Sequence, residues 1–119
     1  MLIGNSFLGL SMLVAGLAAA STTSAQQLKE IRITANEFSF KPSKIQAPQG
    51  EVKIVVTNRG KFPHSLAIVG REEKVSYIDS GETQSLTIRF DKAEELVFYC
   101  SQPGHRGKGM EGRISVGKR

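Results

Sequence analysis

The sequence predicts an all-β fold, a Greek-key antiparallel β-sandwich, and three observations carry that expectation. Beyond residue 25, apolar residues recur at every second position in short runs. Turn-forming residues separate the runs at regular intervals, and no long run of helical period interrupts them. The chain has 119 residues, the size of one domain, and shows no internal repeat or linker.

The elements follow in order. Residues 1–25 carry no charge and are expected to be a secretory signal. The apolar run Phe7–Ala20 leads into the polar spacer "STTSA", with Ala25 at the cut and Thr23 two positions before it. The competing expectation is an uncleaved anchor, since Leu2–Ala20 approaches the ~20 apolar residues that span a bilayer. Asn5, the glycines and the small-residue exit favour cleavage. The domain proper is then residues 26–119. "IRITANEFSF" alternates through Ile31, Ile33, Phe38 and Phe40 as one strand, which Pro42 interrupts. "SKIQAPQG" ends in a turn, "EVKIVVTN" alternates through Val52, Ile54 and Val56, and Asn58–Arg59–Gly60 turns the chain. "HSLAIVG" is a short strand. "REEKVSYIDSGE" lacks clean periodicity and reads as a connection with one helical turn. "TQSLTIRF", "ELVFYC" and "GRISVGK" complete about seven strands.

The chemistry concentrates in "FYCSQPGHRGKGMEGRISV", residues 98–116. Beyond the leader the chain has one cysteine, Cys100, one methionine, Met110, and two histidines, His64 and His105. A lone cysteine forms no internal disulfide, so in an oxidising compartment it points to chemistry or to another chain. Two imidazoles and a thiolate in a plane with a distant thioether are the ligand set of a blue-copper electron-transfer site. Cys100 closes a strand, and Pro103, Gly104, Gly107 and Gly109 let the chain turn back to bring His105 and Met110 to one point. His64 opens "HSLAIV" after a turn, so it stands at a strand end. Taken singly, each residue has a plainer role: Cys100 as a small core hydrophobe, Met110 as core filler, either histidine as surface. Their conjunction points to one copper ion cycling between Cu(I) and Cu(II).

The stretches "ANEFSFKPSKIQAPQGEVKIVVTNRG", "FPHSLAIV" and "FYCSQPGHRGKGMEGRISV" together resemble the cupredoxins, the plastocyanin and azurin group of small blue copper proteins. The ligand loop is similar to the longer Cys-to-His variety of azurin, auracyanin and rusticyanin. The resemblance implies His64, Cys100 and His105 as equatorial ligands and Met110 as the axial one. It also implies that His105 lies near the surface as the electron port. Two departures stand out. Ser65 occupies the place of an asparagine that ties the ligand loops together in relatives, and "DKAEE" replaces a Pro–Gly turn.

Lys and Arg number 16 against 11 Asp and Glu, a net charge of +5 that lies wholly beyond the leader. Arg59, Lys61, Arg106, Lys108 and Arg113 crowd the candidate ligand segments, with Glu111 the local offset. Beside the plain reading of a solvated surface, this predicts a docking face for a redox protein with an acidic surface, around an apolar patch of Phe62, Pro63 and Pro103. An anionic membrane surface is a lesser partner, and nothing here suits nucleic acid. Two histidines leave none for a second copper centre, so a copper oxidase or nitrite reductase is not expected, and the chain reads as no enzyme. The expected protein is a monomeric electron carrier of the periplasm or another exported space. A copper carrier or storage protein of that space is the alternative, and a zinc or metal-free structural domain is the third reading.

Overall fold

The computed structural model describes Gly4 and residues 28–118. The expected leader, residues 1–25, lies, Gly4 apart, outside the described residues. Among these, no helix is long and apolar enough to cross a membrane. Among the described residues nine strands form two sheets. The first contains β1 (Lys29–Asn36), β2 (Ser39–Lys41), β4 (Gly50–Asn58) and β7 (Thr83–Phe90), in the order β2-β1-β4-β7. The second contains β3 (Lys44–Ala47), β5 (His64–Ile68), β6 (Lys74–Ile78), β8 (Glu94–Tyr99) and β9 (Glu111–Val116), in the order β3-β9-β8-β5-β6. The alternation read from the sequence is what seals the two sheets together. Val52, Ile54 and Val56 of β4 and Leu86, Ile88 and Phe90 of β7 turn inward, and Phe98 and Ile114 meet them from the second sheet. Each such side chain stabilises the fold by about 1.5–3 kcal/mol relative to exposure.

The sandwich expectation holds, with two differences in pairing. Most neighbours are antiparallel, but β1 runs parallel to β4 and β3 parallel to β9. The chain leaves the first sheet through β3 and re-enters it at β4 already running in the direction of β1. The two parallel pairs join strands that are not consecutive in the chain, and local periodicity carries no information about direction.

Two segments depart from their expected form. "REEKVSYIDSGE" contains a strand, β6, and no helical turn. Its buried residues, Val75 and Ile78, are three apart, whereas their partners Leu66 and His64 are two apart. A bulge absorbs the extra residue, leaves Ser76 and Tyr77 both exposed, and erases the period of two. "IRITANEFSF" is two strands, because Phe38 adopts φ 63° and reverses the chain between β1 and β2. A bulky residue at positive φ is a true outlier, and both residues of this turn, Glu37 and Phe38, reappear at the site below.

Sheet order places the candidate ligands. β8 lies between β9 and β5 and is antiparallel to both. The end of β8, the start of β9 and the start of β5 therefore meet at one edge of the sandwich. Cys100, Met110 and His64 sit at those three strand ends.

Candidate metal centre

His64, Cys100 and His105 converge. The Nδ1 atoms of the two histidines are 3.3 Å apart, and Cys100 Sγ lies 3.5 Å from His105 Nδ1 and 3.9 Å from His64 Nδ1. A triangle with these sides has its centre about 2.1 Å from every corner, the length of a metal–nitrogen bond and just under the ~2.3 Å of a metal–thiolate bond. An ion of first-row size fits in the plane of the three atoms without movement of the backbone. Met110 is fully buried in the same loop. Its N–H donates to the His105 carbonyl at 3.2 Å, and its carbonyl accepts the Cys100 N–H at 3.1 Å.

Local sequence explains this loop. A single 3-10 turn, Arg106–Lys108, follows His105, and Gly109 at φ 101° ends it with its N–H on the Arg106 carbonyl. Only glycine takes that conformation without strain, and it turns Met110 back toward the core. The helical turn expected near residue 75 thus lies in the ligand loop instead. Cys100 is the first residue past β8.

β5 is buried at all five positions, because β6 and β8 flank it and the first sheet covers it. His64 is consequently inaccessible, whereas His105 is only partly covered and Phe62 beside the site is 53% exposed. Burial pushes the His64 pKa below the usual imidazole value of 6.5; charge on His105 adds to this and Glu37 partly opposes it. His64 is thus neutral at pH 7, the form that binds metal.

Ser65 joins the two ligand segments. Its hydroxyl accepts the Ser101 N–H at 2.7 Å and pairs with the Ser101 hydroxyl at 2.7 Å. Its own N–H points at Cys100 Sγ, 3.4 Å away. The serine on the histidine strand therefore grips the residue after the cysteine, and the two ligand segments are tied.

Several residues at the site carried no site signal in the sequence. Asn58, read there only as part of a turn, is fully buried and spends its whole amide on the segment before His64 and on the end of β6. It donates to the carbonyls of Phe62 and Ile78, at 2.8 and 2.9 Å, and accepts the Gly60 N–H at 2.8 Å. Glu37 accepts the N–H groups of Lys61 and Phe62. These bonds, Phe62 foremost, hold its carboxyl below the usual 4.5. The Phe38 ring stands edge-on to His105, with centroids 5.2 Å apart. The turn sequence Asn58–Arg59–Gly60 was the one available hint; nothing local marked Glu37 or Phe38.

Comparisons with known proteins place the fold. Residues 9–114 match the family model of the cupredoxin-like domain. Auracyanin A, a "blue" copper protein of Chloroflexus aurantiacus, is similar in structure at TM-score 0.69 and 17% identity, covering 76% of this chain and 100% of its own. The dithionite-reduced auracyanin of Roseiflexus castenholzii is similar at TM-score 0.67 and 17% identity, over 75% and 97% of the two chains. The azurin Az-iso2 of Methylomonas sp. strain J follows at TM-score 0.66 and 16% identity, over 76% and 98%. At these identities the likeness is one of fold. No curated protein matches the chain.

Proposed function

The chain belongs to the cupredoxin-like family, and from that premise we propose that it is a type 1 copper protein carrying single electrons between redox partners in an exported space such as the periplasm. The observation that carries this reading is the triangle of two Nδ1 atoms and one Sγ, sized for a metal ion and backed by a buried methionine. His64, Cys100 and His105 would hold one copper ion, with Met110 as a fourth residue of the site. Thiolate and thioether suit Cu(I) and imidazole suits both oxidation states, so copper supplies a reversible one-electron couple. A thioether is a poor fourth donor for zinc, which argues against that metal.

The rest of the work falls to the chain. Strand ends and the Ser65–Ser101 contacts hold the donors in one arrangement, so little has to move when an electron arrives. The buried His64, Cys100 and Met110 exclude water from three sides. His105, partly covered, is the way in and out. Both histidines of the chain stand at this one centre, which leaves none for a second copper and supports a carrier over an enzyme.

The surface around His105 supports an acidic protein partner. Arg106 is balanced by Glu111 at 3.1 Å. Among the described residues the side-chain cations of Arg59, Lys61 and Lys108 have no carboxylate within 4.0 Å, and Lys108 Nζ lies 4.5 Å over the Phe38 ring. Arg59 and Lys61 flank the exposed Phe62 in the chain and Lys108 lies over Phe38 beside His105, so a monomer would meet its partner through an apolar patch with cations about it.

The test is an optical and EPR spectrum of the Cu(II)-loaded protein through a cycle of ascorbate reduction and reoxidation. Intense red-region absorption with narrow copper hyperfine splitting, lost and regained, is expected, and Cys100→Ser abolishes it. A pale spectrum, or copper released on reduction, refutes electron carriage in favour of copper handling. Electron exchange with an acidic partner is expected to slow with salt and in Lys108→Glu; indifference to both refutes the docking face.

A further inference from the structure

We propose that Glu37 is a positioning residue of the metal centre: its carboxylate faces the outer nitrogen of His64 and holds that ring with Nδ1 turned toward Cys100 and His105. The inference deepens the copper reading and, in its redox consequence, rests on it. His64 Nε2 is the one fully buried side-chain polar atom without a hydrogen-bond partner among the described residues. Buried N–H groups rarely stay unpaired, and a metal-binding imidazole characteristically gives its other N–H to a carboxylate, a carbonyl or water. Glu37 Oε1 stands 3.6 Å from that nitrogen, longer than a hydrogen bond, and a shift of less than about 1 Å closes it.

Three features bring the carboxylate there. Phe38 at φ 63° turns the chain after β1. The N–H groups of Lys61 and Phe62 then fix the carboxylate over the segment that leads into His64. Gly60 leaves the opening. A Cβ at position 60 would overlap the Glu37 carboxylate and lie 3.0 Å from His64 Nε2. The same turn sets Phe38 against His105, so one β1–β2 connection touches both histidines.

A fixed negative charge beside one ligand favours the more positively charged oxidised state and lowers the reduction potential. Glu37→Gln keeps the acceptor for Lys61 and Phe62 while removing the charge. Gly60→Ala displaces the carboxylate without altering it. In the copper-loaded full chain both variants are expected to shift the oxidised-to-reduced ratio about tenfold toward Cu(I), a rise of ~59 mV for one electron. A second readout needs no copper. In the copper-free full chain, nitrogen-15 NMR should show His64 protonated on Nε2, with exchange of that proton with water at least about tenfold faster in Glu37→Leu. Potentials unchanged in both variants, or His64 protonated on Nδ1 in the copper-free wild type, overturn the proposal. A chain that binds no copper sinks the electron-carrier reading and leaves the NMR result to decide this one.

Discussion

Ser65→Ala tests whether a serine really performs the tie between the ligand segments. The hydroxyl is fully buried, accepts the Ser101 N–H at 2.7 Å and pairs with the Ser101 hydroxyl at 2.7 Å. Alanine removes both bonds. The Ser101 hydroxyl turns to water, since Ser101 is exposed, at a net loss of about 0.5–1.5 kcal/mol. The Ser101 N–H, partly buried, is left unpaired, which costs about 1–3 kcal/mol. A loss of about 2 kcal/mol is therefore expected, and about 8–16 °C in Tm for a domain of this size. The assay is urea and thermal unfolding of the copper-free protein, with Ser85→Ala on the exposed face of β7 as a control expected to stay within ~0.5 kcal/mol. Copper-free protein separates the tie from the metal's own contribution to stability. A Ser65→Ala loss below ~0.5 kcal/mol at unchanged m-value refutes the reasoning and makes the ligand edge stiff by strand pairing alone.

Gly112 faces Phe98 across the β8–β9 pair, and a Cβ there would overlap the Phe98 ring and the Ser43 carbonyl. Gly112→Ala should cost about 1–3 kcal/mol or more in denaturant unfolding, and a wild-type midpoint refutes this packing. The copper-free protein should lose stability as pH falls below 6.5. The folded state holds His64 neutral through burial while the unfolded chain takes up its proton near 6.5, so the unfolded state binds more protons and the stability falls by up to about 1.4 kcal/mol per pH unit. Glu37, its pKa lowered by the fold, acts in the same direction below 4.5. Urea midpoints at pH 7.5 and 5.5 check this, and a midpoint that is flat or rises toward acid contradicts it.

Legibility from sequence followed the range of the interactions. β4, β7 and β9 were readable because alternate residues of each turn to the core, which writes a period of two into the chain, and β8 was readable only as a run of β-favouring residues. β6 was not, because its bulge lies between it and β5, and a bulge is a property of the pair. The break between β1 and β2 was hidden for a different reason. Phe38 and Phe40 extend the apolar run but fall out of step with Ile31, Ile33 and Ala35, and the Phe38 ring leaves the core to stand against His105.

Residue types and their local order supplied the inventory: a small all-β domain with one thiol, two imidazoles and one thioether beyond residue 25, three of them within eleven positions and glycine-spaced. Those are properties of residue type and local order, so a single pass along the chain reveals them. Only the tertiary structure decided that three donor atoms close to within 4.8 Å of one another, that Ser65 suffices as the tie, and that Asn58 and Glu37 serve His64. Each of these depends on which strands pair and in what register. Glu37 and His64 are brought together by a parallel pairing of β1 with β4, through a gap that only a glycine leaves, and no local pattern in the chain encodes that.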